Sequence, residues 1–277
     1  METVLYILIL SAPLLLTSFG ALISEKAGRM AIFVEGIINL GAFFCFMFTV
    51  LTKSTFLGVL FSTTTCIIFI TLIAILISKI KSNYFLISLA TNLICSALIT
   101  IISVSVFGTR GVLTSDAFLF NTKNVRLVTT ICAFVITGLG ILFFHKTKIG
   151  LQISITGTDE KLLTLRKINT TKLKILSWII AAFYASFTGC IMAIRLSSFV
   201  PNISSGTGWL ALATIFLGKK NTLLTVVSVF IFSIAQFLTS NIQNYSSFRE
   251  LSSGILLSCP YIIALLFIFL FGKKNDT

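Results

Sequence analysis

Long apolar runs separated by short polar punctuation make up most of this chain, and one polar interval breaks the rhythm. Runs of roughly 20 apolar residues, the length that crosses a bilayer, fall at about 4–23, 30–51, 55–78, 84–107, 126–144, 173–194, 222–240 and 251–272. Each predicts a transmembrane helix. A ninth apolar stretch, 208–218, has only 11 residues. As helix it reaches ~16 Å, about half of a ~30 Å hydrocarbon core. Pro201 and Gly206 precede it and Gly218 closes it, so 199–218 is expected to form one discontinuous crossing. Irregular backbone at membrane depth survives only where protein buries it or it lines a water-filled cavity. The expected fold class is all-α: a polytopic membrane protein with eight full transmembrane helices plus one short discontinuous crossing, in a single domain over 1–277.

The polar interval is 145–174, HKTKIGLQISITGTDEKLLTLRKINTTKLK. A chain that is otherwise almost all membrane keeps such a segment to meet a soluble partner. The composition leaves little room for anything else. The 277 residues are 56% hydrophobic and 10% charged, against about 25% charged in soluble domains. The net charge of +13 does not indicate nucleic acid, because the 21 Lys and Arg are scattered through short loops. Basic loops beside membrane helices report orientation. With 145–174 in the cytoplasm, 15 of these residues lie inside and 6 outside. The expected topology has the N-terminus outside and the C-terminus cytoplasmic. The first run lacks a basic leader and is read as a retained helix rather than a signal peptide.

Signatures of catalysis are missing. The six cysteines lie singly within apolar runs, which suits packing rather than metal or disulfide chemistry. His145 is the single histidine, at the end of a span. No GxxxxGK[ST] occurs, so the chain has no P-loop for ATP; the Gly218-Lys219 and Gly272-Lys273 pairs lack the upstream glycine. No metal or cofactor is expected. Glu35 is the one carboxylate inside a predicted span. A charge well inside the bilayer costs at least ~2.5 kcal/mol, so it faces protein, faces a water-filled path, or caps its helix, where the dipole favours an acid. Asn39 shares its helix face, four residues on. Asn92 and Gln236 are further amides within spans, suited to joining helices or to touching a solute. The loop at 108–125, with Gly108, Gly111 and Asp116, is either an external docking site or a solvated connector.

Three segments together resemble one family. In 24–43, SEKAGRMAIFVEGIINLGAF, residues Ser24, Glu25, Gly28, Glu35, Gly36, Gly41, Ala42 and Phe43 match the SER-x-G…EG…GAF segment of ABC importer permeases of the ribose, nucleoside and branched-chain amino acid class. In 150–169, residues Gly150, Leu151, Gly157, Ile168 and Asn169 match the cytoplasmic GLRLRAVGENPEAA…GIN loop, while Asp159-Glu160 stand in place of Asn-Pro. In 196–218, residues Phe199, Pro201, Asn202, Gly206, Gly208, Ala211, Leu212, Ala213 and Gly218 match LGSF-x-P-N…G-x-GF-x-ALA-x-x-x-x-G. The short N-terminus looks most like the smaller permease of nucleoside-type importers.

The resemblance implies a bacterial inner-membrane subunit that works with an ATP-binding subunit, a second permease (homologous or identical) and an extracytoplasmic substrate-binding protein. ATP would be bound by the partner. The coupling loop would contact that ATPase through Gly150, Leu151, Gly157, Asp159, Glu160, Ile168 and Asn169. The translocation path or gate would involve Glu35, Gly36, Asn39, Asn92, Asn202, Gly206 and Gly208. Two other classes compete. A self-sufficient secondary transporter of a small polar solute wants intramembrane carboxylates and two related halves; only Glu35 qualifies, and no repeat is visible. A lipid-modifying enzyme needs a polar catalytic cluster that the sequence does not provide.

Overall fold

The computed structural model describes residues 2–80, 82–120, 122–242 and 262. The helices are α1 (Glu2–Lys26), α2 (Val34–Thr52), α3 (Thr55–Ile80), α4 (Tyr84–Phe107), α5 (Thr122–Lys146), α6 (Lys148–Thr158), α7 (Glu160–Leu165), α8 (Thr170–Leu196), α9 (Thr207–Leu217) and α10 (Thr222–Ile242). Seven of them are long and apolar enough to cross a membrane, and α9 is a shorter apolar helix. The expected span at 251–272 lies outside the described residues. Among the described residues there is no strand, only a two-residue bridge between Leu113 and Phe199.

α1 is the central post, packed against α5, α8, α9 and α10. Proline at position 13 interrupts its ladder, because Pro lacks the N–H that would reach the Ile9 carbonyl. The guanidinium of Arg195, at the end of α8, donates to that Ile9 oxygen instead (2.7 Å). Thr17 donates to Thr188 across the α1–α8 seam (3.0 Å). α2 and α8 approach more closely than side chains would allow elsewhere. A Cβ on Gly189 would sit 2.0 Å from the Ile38 carbonyl, and one on Gly41 would sit 2.7 Å from the Ser186 backbone. Small residues are the usual means of close helix contact where lipid removes the hydrophobic drive.

Two departures from the sequence expectation matter. First, the span expected at 30–51 begins as helix only at Val34. Residues 27–33 form an irregular connector, buried except at Gly28 and Met30. Its polar backbone is held from outside: Trp178 Nε1 donates to the Arg29 carbonyl (3.1 Å) and Ser88 Oγ accepts from Phe33 N (2.9 Å). Second, 145–174 is not a loop. Its middle folds into α6 and α7, and α8 begins at Thr170. The 108–120 segment is likewise more than a solvated connector. Leu113 and Phe199 exchange backbone bonds of 2.9 and 3.0 Å, and Phe118 is fully buried.

Candidate functional site

Two assemblies carry the residues singled out above. The first lies where α9 begins. α9 has 11 residues, hence ~16 Å of helix. It ends beside the α1 C-terminus, where Lys220 pairs with Glu25 (2.8 Å) and Lys26 donates to Thr222 (3.3 Å). Its N-terminus therefore lies about halfway through a ~30 Å core. The first backbone N–H groups of a helix have no partner within it, and at that depth each unsatisfied group costs several kcal/mol.

Glu35 supplies the partners. Its Oε1 accepts from Gly206 N (2.9 Å) and Ser204 Oγ (2.5 Å), and its Oε2 accepts from Gly208 N (2.6 Å). Gly206 has φ of +85°, in the left-handed region, and a Cβ on Gly208 would lie 2.7 Å from Glu35 N. Glycine is needed at the one for conformation and at the other for space. Asn39 completes the ring. Its Nδ2 donates to Ser204 Oγ (2.7 Å), and its Oδ1 accepts from Ser204 N (3.1 Å). Asn202 lies at the edge of this ring, exposed and in the left-handed region at φ +58°; its Oδ1 accepts a long bond from Ser204 Oγ (3.4 Å), and its backbone carbonyl accepts from Ser205 N (3.0 Å) and turns the chain.

Glu35 also sits in the first turn of its own helix. The positive ends of two helix dipoles thus meet on one carboxylate. Asn92 of α4 secures the other side of that turn: Oδ1 accepts from Gly36 N (2.8 Å) and Nδ2 donates to the Ile32 carbonyl (3.0 Å). Both polar groups of Asn92 bond backbone, which joins α4 to the start of α2.

The second assembly is the α6–α7 pair. Thr147 caps α6 by accepting from Gly150 N (3.3 Å). A Cβ on Gly150 would fall 1.9 Å from the Phe144 carbonyl, so the sharp α5–α6 corner requires glycine. The inward side of α6 carries Gly150, Ile153 and Thr156. At its far end Gly157 rests on the start of the 27–33 connector. A Cβ there would meet the Lys26 carbonyl at 2.2 Å and Gly28 N at 2.9 Å.

Asp159 caps α7 through Lys161 N and Leu162 N (3.1 and 3.2 Å), and Asn169 caps α8 through Lys172 N (3.1 Å). Ile168 N bonds the Leu163 carbonyl (3.0 Å). Glu160 accepts from Lys174 Nζ (2.6 Å) and Thr170 Oγ1 (2.7 Å), tethering α7 to α8. Of the expected coupling residues, Leu151 points outward, 63% exposed. Beside it the sequence reading missed Leu162 and Leu165, 41% and 85% exposed. These open apolar side chains lie on a helix pair outside the long apolar helices. The other missed residue is Ser204, at the centre of the Glu35 ring. It lies between the matched Asn202 and Gly206, which was the available signal.

The Lys174 and Thr170 bonds hold the Glu160 carboxyl below the usual carboxylate range, led by Lys174. A folded value below the unfolded one (about 4.3) makes the tether complete above the unfolded value and lost as pH falls through the folded one. Glu160→Gln should therefore speed amide exchange across α7 at neutral pH. The difference from the parent chain should vanish on acidification. Equal exchange at neutral pH would dismiss the tether.

The family model described as "Branched-chain amino acid transport system / permease component" matches residues 3–268. The chain is 24% identical to the nucleoside ABC transporter permease protein NupC of Lactococcus lactis, covering 96% of this chain and 91% of that one. It is 22% identical to the guanosine ABC transporter permease protein NupQ of Bacillus subtilis, covering 97% and 91%. The fold is shared with a solved chain of PsaBC from Streptococcus pneumoniae in complex with Fab, with TM-score 0.60, 16% identity and coverage of 100% and 94%. A multi-pass helical chain with a short apolar helix and a helix pair docked at one end of the bundle thus meets a match over nearly its full length: it belongs to the branched-chain amino acid transport system permease family, as a membrane permease component and not an enzyme.

Proposed function

We propose that this chain is the transmembrane permease subunit of an ATP-driven importer for nucleosides in the bacterial inner membrane. It forms half of the translocation path with a second permease. A separate ATP-binding subunit seats on α6 and α7, and an extracytoplasmic binding protein delivers the solute to the opposite face. The nucleoside assignment rests on the two relatives named for nucleoside and guanosine transport. The orientation rests on the basic bias: Lys26, Lys79, the α6–α7 pair, Lys219 and Lys220 share one end of the bundle, which the positive-inside rule makes cytoplasmic.

One observation carries the mechanism. Gly157 of α6 packs on the backbone of Lys26 and Gly28, at the start of the connector that leads into the first turn of α2, where Glu35 holds the broken crossing. A push on α6 therefore reaches the α9 N-terminus through about ten residues of covalently continuous chain. The carboxylate acts as a latch. Its bonds to α9 keep the two half-crossings together, and releasing them frees the break at 202–208 to move. Glu35 is engaged by two backbone N–H groups and a hydroxyl, which leaves it poorly placed for the proton coupling that a self-sufficient secondary transporter would ask of it.

A mild-detergent pull-down of the tagged chain tests the assignment. Co-purification of an ATP-binding subunit and a second permease is the expected result; recovery of a stable, active chain alone would favour the secondary transporter. Gly157→Val should abolish uptake at normal membrane yield, because the side chain lifts α6 from the connector; normal uptake would remove the coupling route. Glu35→Gln weakens bonds to a charged group worth roughly 1.5–3 kcal/mol. Uptake should fall by about ten- to a hundredfold at unchanged yield, and an unaltered rate would return Glu35 to a purely capping role.

A further inference from the structure

A cavity of about 540 Å³ opens at the end of the bundle opposite α6 and α7. It lies between the first half of α1, the ends of α8 and α10, the start of α5 and the 203–207 break. Its walls include the apolar side chains Ile9, Leu14 and Met192, and the polar groups of Arg126, Arg195 and Gln236.

Among the described residues the charge on this wall meets no acidic partner. Arg195 donates to Thr129 Oγ1 (2.9 Å), Thr130 Oγ1 (2.8 Å) and the Ile9 carbonyl (2.7 Å). All three acceptors are neutral. A guanidinium carries five N–H groups, so two remain to be met among the described residues. The ion pairs among the described residues join Lys174 to Glu160 and Lys220 to Glu25, both at the far end of the bundle. Arg126, on the same wall, makes no ion pair among the described residues, and no described lining residue is Asp or Glu. Gln236, an amide within the membrane span of α10, makes no hydrogen bond among the described residues. Two neighbouring cations in a membrane protein call for a counter-charge. Arginine pairs meet phosphate oxygens with matching fork geometry.

We infer that this cavity binds the phosphate headgroup of an anionic phospholipid from the leaflet opposite α6 and α7. The apolar walls select a lipid over a free anion. Ile9, Leu14 and Met192 line the cavity with the arginines and suit an acyl chain, and Leu196, a further lining residue, is 53% exposed. The Gln236 amide is placed to meet the glycerol or ester oxygens. Ser204 also lines the cavity, so the bound lipid packs against the same residue that Glu35 holds from the other side. The inference does not depend on the transport assignment.

Native mass spectrometry of the full chain in detergent, titrated with phosphatidylglycerol or with phosphatidylcholine of the same acyl chains, tests it. Phosphatidylglycerol should bind more tightly. Arg126 is exposed and its side chain makes no bond among the described residues, so Arg126→Gln should fold normally and weaken phosphatidylglycerol by about fivefold, as expected for one basic residue near a lipid surface. Phosphatidylcholine binding should not change. Met192→Trp, which fills the cavity without touching charge, should also reduce bound phosphatidylglycerol. Equal binding of the two lipids, or phosphatidylglycerol affinity unaltered in both variants, would overturn the site. Displacement of phosphatidylglycerol by glycerol 1-phosphate at similar concentration would also overturn it, in favour of a soluble anion.

Discussion

A helix that starts in the middle of a membrane must find partners for its first N–H groups, and here a single carboxylate provides them. Everything distinctive about the fold follows from that requirement. Glu35 can reach Gly206 and Gly208 only because α2 also starts late, at Val34. α2 can start late only because 27–33 is held by side chains of α4 and α8, with Ser88 on Phe33 N and Trp178 on the Arg29 carbonyl. The two interrupted crossings are one construction, with a first turn from each facing the same acid.

The arrangement places rigid and yielding parts in a useful order. The α1–α2–α8 core is locked by backbone approaches at Gly41 and Gly189, which leave little freedom to slide. The break at 202–208 is held by hydrogen bonds to three side-chain groups of Glu35, Asn39 and Ser204. Hydrogen bonds can exchange where packed backbone cannot, which suits the break to the gating role proposed for it. α6 rests on one end of the connector and Glu35 stands just past the other. The proposed coupling route thus ends where the membrane-embedded backbone is least regular.

The spans were legible because their physics is local: ~20 apolar residues can do little else in a bilayer. The short crossing was legible for the same reason, as 11 residues cannot complete the distance. Gly150, Gly157, Gly206 and Gly208 stood out through family resemblance, and the structure gives each a steric or conformational reason. Less visible was the work done by polar residues. Asp159, Glu160 and Asn169 are exposed and also cap and tether their own helices, a role that the sequence did not show. Leu151, Leu162 and Leu165 share the outward surface with them, and the apolar character of Leu162 and Leu165 disappears among so many leucines.

By itself the sequence determined the membrane class, the crossings within the described residues and the place of the break, because hydropathy and length act over consecutive residues. Tertiary structure alone decided who partners whom. Glu35 and Gly208 are 173 positions apart, and Arg195 lies 186 positions from the Ile9 carbonyl that Pro13 leaves open. Such pairings arise from which helix packs beside which, and no periodicity along the chain records that.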